Sequence, residues 1–500
     1  MFSQKQKLRL TSGFALILQI FTMIYGFILP RLFLEYFGSA VNGLISSITQ
    51  FLGFIALAEC GVGAVVQSAL YKPLAQKNSN DLSRIVAAAE HFFRNIAKLL
   101  VLYTAVLLIV YPNIINGKFS FLYTASLIFI IAISSFAQYY FGITYRLLLN
   151  ADQFGFVPII VQIVALSLNL ISCICLMSFG FSIHCVMLAS SFVFLLQPLS
   201  VSFIAHRWYK IDRYIALDKG AIPQKWNGIA QHLSSVVLQS SGVVVLTIFS
   251  SLENVSVFAI YNLVVHGLKN LTVSVTSGMQ AFLGNLYAKG DMQNFKEKFE
   301  SFEWKMHFLV VVAFSSAAFL IVPFVCTYTN GITDANYFVP VFGMMLVAAW
   351  GMYCIRLPYN VVVLAVGHYK QTQLSAVIES ILNIVTAVSL VIKFGLVGVA
   401  IGTFVAMVYR TCYLAWYISR NVINRSLWAF IKHLCVDAFS IVLFVVLVYS
   451  VMGPIHELRV TSYLEWGLLA IKTTVLGVLA IGAVNLLFYF KNFSRLVKKR

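Results

Sequence analysis

The sequence predicts an all-α polytopic membrane protein with about 14 transmembrane helices. Of its 500 residues, 60% are hydrophobic and only 10% are charged, whereas a soluble domain carries about 25% charged residues. The mean hydropathy is +0.88. Apolar stretches of about 18 residues or more recur from one end of the chain to the other, and each is long enough to cross about 30 Å of hydrocarbon.

The first apolar stretch follows a short basic start, but we interpret it as a retained span. Its apolar core is longer than that of a signal peptide, and no small-residue cleavage pattern follows it. The predicted spans, with boundaries uncertain by several residues, are 12–34, 41–70, 91–112, 120–146, 156–178, 182–205, 228–250, 256–285, 306–328, 336–365, 372–392, 396–418, 433–452 and 463–490.

The loop charges predict that both termini are cytoplasmic. With that orientation, 26 of the 35 basic residues fall in inner segments, and the outer loops hold only Arg31, Lys118, Lys393 and Arg459. This is a strong positive-inside pattern. It also places most of the net charge of +18 along the cytoplasmic rim, next to anionic lipid. No basic segment is joined to a nucleic-acid-binding pattern, so nucleic acid is not an expected partner.

An internal repeat with an offset near 214 predicts the domain organisation. The Leu-Asn pair at 168–169 aligns with that at 382–383, and FGFSI at 179–183 aligns with FGLVG at 394–398. An even number of spans per unit gives a parallel repeat, which suits alternating access between two halves. The predicted domains are a six-helix bundle at 1–205, a basic cytoplasmic linker at 206–227, a second six-helix bundle at 228–418, and two extra helices with a basic tail at 419–500.

The repeat relates the ionisable residues that lie inside predicted spans. Glu59 interrupts the apolar run FIALAECGVGAVV, where burying a carboxylate costs about 2.5–3.5 kcal/mol on insertion scales. Subtracting 214 from Lys269 gives Ile55, one helical turn before Glu59, so the two charges occupy corresponding faces. The same offset takes Arg356 to Gly142, one turn before Arg146.

Two polar stripes accompany these charges. On span eight, Asn262, His266, Lys269, Thr272, Thr276 and Gln280 share one helix face, and on span seven His232, Ser235 and Gln239 do. Polar residues also hold helices together in lipid, but a stripe centred on a lysine favours a wall that faces water. We expect Glu59 to line a central cavity opposite Lys269, as a counter-charge, a carrier of a coupling H⁺ or Na⁺, or a latch; the alternative is an ion pair that only fixes packing.

A longer stretch around Glu59 resembles the start of bacterial polysaccharide flippases, which belong to the multidrug/oligosaccharidyl-lipid/polysaccharide exporter superfamily. The resemblance rests on Val-Asn-Gly-Leu, Leu-Ala-Glu-x-Gly-x-Gly and Leu-Tyr-Lys-Pro-Leu-Ala within residues 36–78, and on LLNADQ at 148–153. It implies a duplicated architecture of twelve to fourteen spans. It also implies translocation of an undecaprenyl-pyrophosphate-linked oligosaccharide to the outer leaflet of the bacterial plasma membrane.

The resemblance implies a cation-lined cavity. Glu59 matches by motif, whereas Lys269, Arg146 and Arg356 match only by location. His232 and His266 would titrate near neutral pH. The expected partners are a polyprenyl-pyrophosphate-linked oligosaccharide, membrane lipids and, as a further candidate, the polysaccharide polymerase or export machinery. Beyond a coupling H⁺ or Na⁺, no cofactor is expected.

Three other classes stay open. A cation-coupled multidrug exporter of the same superfamily would use intramembrane carboxylates, but basic residues outnumber acids inside these spans. A glycan polymerase or ligase would need a longer outer loop, and the sequence has no phosphate-binding glycine loop, metal-ligand cluster or nucleophile arrangement, so an enzyme is not expected. A scaffold without transport would not need the polar stripe on span eight.

Overall fold

A computed structural model describes residues 3–59, 61–115, 117–212, 215, 229–276, 278–453 and 460–490. Those residues form helices and connections, with no strand among them. Twelve helical segments are long and apolar enough to cross a membrane. The predicted class, an all-α polytopic membrane protein, is therefore confirmed.

The helices, in chain order, are α1 (Gln4–Gly53), α2 (Val62–Gln76), α3 (Ser79–Ile114), α4 (Phe121–Ala137), α5 (Ile143–Ala151), α6 (Phe156–Ser178), α7 (Ile183–Trp208), α8 (Ile229–Phe249), α9 (Leu252–Val275), α10 (Met279–Ala288), α11 (Met292–Tyr328), α12 (Pro340–Ile355), α13 (Leu357–Val366), α14 (Tyr369–Phe394), α15 (Leu396–Asn421), α16 (Trp428–Met452) and α17 (Tyr463–Phe488). By its contacts, the chain divides into unit 1, Met1–Leu252, and unit 2, Glu253–Arg500.

The span count differs from the predicted fourteen in two places. The first two predicted spans join into one continuous segment, Gln4–Glu59, although Gly38 inside it has non-helical backbone with φ 81°. The predicted span 256–285 is not among the twelve segments that are long and apolar enough to cross a membrane. It is also not one helix, because Gly278, with φ 86°, separates α9 from α10. Only glycine adopts such a left-handed conformation without strain.

In unit 1, α1 packs on α6, α4 and α6 pack on α7, and α3 packs on α4. The core between them is apolar and includes the fully buried Leu44, Val66 and Phe93. The helix α8 belongs to this unit by its contacts with α1. One of these contacts is a hydrogen bond of 2.6 Å between the hydroxyls of Ser47 and Thr247.

In unit 2, α15 packs against both α12 and α14, and α11 packs against α12, α16 and α17. The two C-terminal helices are joined to α11 by polar contacts as well as by apolar ones. Trp304 Nε1 donates to Asn485 Oδ1 at 3.0 Å, and Trp466 Nε1 donates to the Leu320 carbonyl oxygen at 3.2 Å. The indole groups therefore fix α17 along much of the length of α11.

The domain boundaries inferred from the repeat stay a prediction. They describe which spans correspond in sequence, whereas the division at Leu252 describes contacts. Most of the predicted linker 206–227, namely 213, 214 and 216–227, lies outside the described residues, as do the basic tail 491–500 and Cys60.

Close approach of α14 and α15 depends on two glycines spaced four residues apart. A Cβ at Gly402 would lie 2.6 Å from the backbone nitrogen of Ala387. A Cβ at Gly398 would lie 2.5 Å from the carbonyl oxygen of Leu390. Backbone atoms cannot move aside as a flexible side chain can, so this is a small-residue interface of the kind that packs membrane helices closely.

We expect Gly402→Ala to lower the free energy of unfolding by about 1–3 kcal/mol, the usual cost of overpacking. The measurement is thermal unfolding of the purified protein in detergent. The matched control is Gly482→Ala on α17, where a Cβ meets nothing within 4 Å. There the better helix propensity of alanine should stabilise the helix by about 1 kcal/mol. Equal melting temperatures for the two variants would show that the close contact at Gly402 does not contribute to stability.

Candidate functional site

Glu59 lies at a break in a helix rather than within a regular turn. It ends the 3₁₀ segment Phe54–Glu59, and Gly61 after it is left-handed with φ 72°. The half-buried carboxylate accepts a hydrogen bond from the Tyr139 hydroxyl at 2.5 Å. A hydrogen bond to a charged group is among the stronger ones, so it offsets part of the cost of holding this carboxylate in an apolar segment.

Tyr139 is presented by a local widening of its helix. Residues Gln138–Gly142 are π-helical, and π-bulges are frequent at functional sites. A Cβ at Gly142 would lie 2.7 Å from Cβ of Pro198 on α7, so a larger residue does not fit here. Arg146 follows on α5, is exposed, and interacts electrostatically with Tyr139.

His232 and Gln239 are the candidate site residues on α8, and His232 contacts the 3₁₀ segment that ends at Glu59. His232 Nε2 donates to the Ala56 carbonyl oxygen at 2.8 Å, which gives a partner to a backbone group of the 3₁₀ segment. Gln239 is exposed and bonds to Ser235 of its own helix at 3.0 and 3.2 Å. Unit 1 therefore brings Glu59, Arg146 and His232 together around Tyr139 and the 3₁₀ segment.

In unit 2, Lys269 on α9 places its ammonium over two aromatic rings of α12. The distance from Nζ to the ring centroid is 5.1 Å for Trp350 and 5.6 Å for Tyr353. His266, one turn earlier, packs edge-on against Trp350 at 4.5 Å. Among the described residues of this unit, no carboxylate lies within ion-pair distance of Lys269. Aromatic faces hold the charge by cation–π attraction without neutralising it.

Arg356 lies between α12 and α13 and is 7% exposed. Its guanidinium pairs with Glu379 of α14, and Arg410 Nη1 of α15 lies 3.6 Å from the other carboxylate oxygen. The Arg356 guanidinium is also 4.5 Å from the Tyr353 ring. Two arginines share one carboxylate, so this group has a formal charge of +1. Lys269, also close to the Tyr353 ring, adds a second positive charge.

The two sites are built in the same way. Tyr139 and Tyr353 are 214 residues apart, the offset of the sequence repeat. In unit 1 this tyrosine contacts Glu59 and interacts with Arg146. In unit 2 it lies beside Lys269 and Arg356. One framework thus carries a carboxylate in unit 1 and an ammonium in unit 2.

The six-residue polar stripe of span eight is interrupted in the structure. Thr272 and Thr276 are buried and bond to carbonyl oxygens of their own helix, which is the packing role that sequence reasoning set aside. Gln280 lies beyond the break at Gly278, on α10. Asn262 is half-buried on α9. The prediction that the six residues share one helix was therefore wrong, because α9 ends at Val275 and α10 begins at Met279 after the left-handed Gly278. That these residues line a cavity stays a prediction.

A second charged network, in unit 2, was not predicted from the sequence. Glu303 on α11 is fully buried, pairs with the Arg425 guanidinium through both oxygens, and accepts a hydrogen bond from the Tyr359 hydroxyl. One turn on, His307 Nδ1 lies 2.6 Å from Asp437 Oδ2 on α16 and stacks on His433 at 4.7 Å. The sequence around Glu303 gives no signal of this network, because residues 292–305 are rich in lysine and glutamate.

The segment LLNADQ, which spans the end of α5 and the turn after it, is held at Asp152 by Lys7 of α1 and by Tyr209. Lys7 Nζ donates to the Asp152 carbonyl oxygen at 3.1 Å and lies 3.5 Å from the Phe154 ring centroid. Tyr209, just beyond α7, donates to Asp152 Oδ2 at 2.7 Å. Burial, together with this carboxylate, raises the pKa of the Tyr209 hydroxyl, which therefore remains a donor at neutral pH. These contacts give the motif a structural role.

The described residues thus form a multi-pass bundle of helices that holds charged groups on an aromatic framework. The structure of the lipid II flippase MurJ in an inward closed conformation is similar, with a TM-score of 0.72 over 96% of this chain and 99% of that chain at 15% identity. An inward-facing MATE family multidrug transporter of the MOP superfamily gives 0.54 over 81% and 95% at 16% identity. The MATE multidrug transporter DinF-BH gives 0.54 over 84% and 97% at 14% identity.

These likenesses show that the chain has the fold shared by MurJ and the MATE proteins. The sequence itself matches no protein-family model and no curated protein. At such low identity the similarity concerns the fold alone. The choice of substrate therefore has to be argued from this chain's own residues.

Proposed function

We propose that the protein is a flippase for an undecaprenyl-pyrophosphate-linked oligosaccharide repeat unit. It moves this unit from the cytoplasmic to the outer leaflet of a bacterial plasma membrane by alternating access, with both termini cytoplasmic. The polysaccharide polymerase or export machinery would then receive the product. The transporter fold supports transport, and the relative named lipid II flippase offers a precedent for a lipid-linked substrate.

The observation that carries the proposal is the excess positive charge beside Tyr353. Lys269, Arg356 and Arg410 contribute three cations, and Glu379 is the carboxylate that pairs with the two arginines. A lipid-linked pyrophosphate bears at least two negative charges that cannot cross hydrocarbon unaided. Lysine and arginine offer it charge-assisted hydrogen bonds, and the half-buried Tyr353 ring offers an apolar face for sugar.

A multidrug exporter is the second candidate, and Glu59 is the observation in its favour. This carboxylate is half-buried, lies at a helix break, and is hydrogen-bonded to Tyr139 without an arginine or lysine pairing it in unit 1. Such a group could bind a cationic drug or a coupling ion. In the flippase, the same carboxylate would bind H⁺ or Na⁺ and not the substrate.

Depletion of the protein in its host separates the two candidates. The flippase predicts that lipid-linked oligosaccharide accumulates on the cytoplasmic leaflet and that wild type reverses this. Rescue by Glu59→Gln would assign Glu59 to packing, whereas failure to rescue would place it in the transport cycle. No accumulation, with altered drug tolerance instead, would refute the flippase and favour the exporter.

A further inference from the structure

Unit 1 contains a pocket that the proposed transport does not use. It has a volume of about 610 Å³ and lies between α3, the π-helical segment with α5, and α7. Its polar lining includes Glu90, Arg94, Tyr145 and His206. Glu90 accepts a hydrogen bond from the Tyr145 hydroxyl and pairs with Arg94 at 3.1 Å.

Unit 2 has the same arrangement at the repeat offset. Tyr359 is 214 residues after Tyr145, and Glu303 is 213 after Glu90. In both units the tyrosine hydroxyl donates to Oε1 of the glutamate. In unit 2, however, the Arg425 guanidinium binds both oxygens of the carboxylate, and the glutamate is fully buried.

Glu90 is less covered than Glu303, because Arg94 pairs with its Oε2 alone whereas Arg425 binds both oxygens of Glu303. The Glu90 side chain is 20% exposed, and Arg94, four residues later, is 44% exposed. By correspondence with unit 2, the open side of Glu90 suits a cationic hydrogen-bond donor. The neighbouring guanidinium suits an anion, so the pocket matches a ligand whose positive and negative groups are adjacent.

The surroundings of the pocket place it at a membrane interface. On α3 the charged first half gives way, after Lys98, to an apolar second half. On α7 the pocket is bordered by Leu199 and Phe203, which are 37% and 68% exposed, and α7 ends at the half-exposed Trp208. Tryptophan is enriched at the level of lipid headgroups. Exposed apolar side chains beside a charged pocket fit a ligand with acyl chains.

We propose that this pocket binds the headgroup of an aminophospholipid, phosphatidylethanolamine being the simplest. Its primary ammonium donates to Glu90, in the position that Arg425 occupies in unit 2, and its phosphate contacts Arg94. The acyl chains lie along Leu199 and Phe203. A choline headgroup has no N–H to donate, and a glycerol headgroup has no positive charge, so both are poorer ligands. The site is independent of the substrate that the transporter moves.

The test is native mass spectrometry of the purified full-length protein with added short-chain phosphatidylethanolamine, phosphatidylcholine or phosphatidylglycerol. We expect wild type to retain phosphatidylethanolamine about tenfold more tightly than the other two, since hydrogen bonds to charged groups are among the stronger ones. Glu90→Gln keeps an acceptor for Tyr145 but removes the charge, and should abolish the preference. Glu35→Gln, the same change on the exposed face of α1, should preserve it.

A second variant distinguishes loss of the binding site from loss of the fold. Leu199→Trp narrows the pocket mouth without touching the Glu90 network and should also abolish the preference. Equal retention of the three lipids by wild type would overturn the proposal, as would a preference that survives both pocket variants. Glycerophosphoethanolamine is the same headgroup without acyl chains. If it displaced phosphatidylethanolamine at equal concentration, the acyl chains would contribute nothing to binding, and the proposal that the ligand is a membrane lipid would be overturned.

Discussion

Replacing Arg425 by alanine is expected to destabilise the protein by about 3–5 kcal/mol, the usual cost of breaking a buried ion pair. Glu303 is fully buried, and Arg425 binds both of its oxygens. Removing the guanidinium leaves a carboxylate with the Tyr359 hydroxyl and the more distant His433, whose Nε2 is 3.8 Å away. Thermal unfolding in detergent measures the loss.

Arg420→Ala is the matched control, because Arg420 is exposed in the last turn of α15. It should leave the free energy of unfolding within about 0.5 kcal/mol of the wild-type value. The double variant Glu303→Gln with Arg425→Met removes both charges and should recover part of the loss. A stability of Arg425→Ala equal to that of Arg420→Ala would show that the pair contributes little.

Replacing Lys269 by alanine is expected to slow the proposed translocation at least about tenfold, because one hydrogen bond to a charged group is worth roughly 1.5–3 kcal/mol. Its ammonium lies over Trp350 and Tyr353, and no carboxylate of the described part of unit 2 pairs with it. The charge is therefore free to meet an anionic ligand. The readout is lipid-linked oligosaccharide on the cytoplasmic leaflet of depleted cells.

Lys269→Arg keeps a cation over the same two rings and should retain most of the rescue. Lys298→Ala, at an exposed position of α11, should rescue like wild type. Full rescue by Lys269→Ala would remove this residue from the mechanism. Failure of all three variants at normal expression would point to a general loss of function rather than to the charge.

Sequence reasoning located the charged ends of the candidate site but not the groups that hold them. Lys269 and Arg356 stand out because an ionisable residue in an apolar span is costly and therefore unusual. Tyr353, whose ring is close to both cations, is one of 24 tyrosines in an aromatic-rich chain. Nothing in its local sequence separates a tyrosine that supports two cations from one that packs against lipid.

The Glu303 network shows a different limit. The predicted span began at residue 306, so Glu303 was assigned to a cytoplasmic loop, where a glutamate needs no explanation. In the structure α11 begins at Met292 and Glu303 is fully buried. Its partner Arg425 is 122 residues away in the chain, and a pairing at that distance leaves no periodic trace.

The sequence by itself determined that this is a helical membrane protein, and it predicted that the two halves repeat at an offset near 214. It did so because hydropathy and span length are local properties, and a repeat is a comparison of the chain with itself. Only the tertiary structure decided where the helices break, at Glu59 and Gly278, and which charges are neutralised. Arg356 meets a carboxylate whereas Lys269 meets aromatic rings. That difference depends on which helices pack together, and packing is the property that a one-dimensional pattern of apolar residues leaves undetermined.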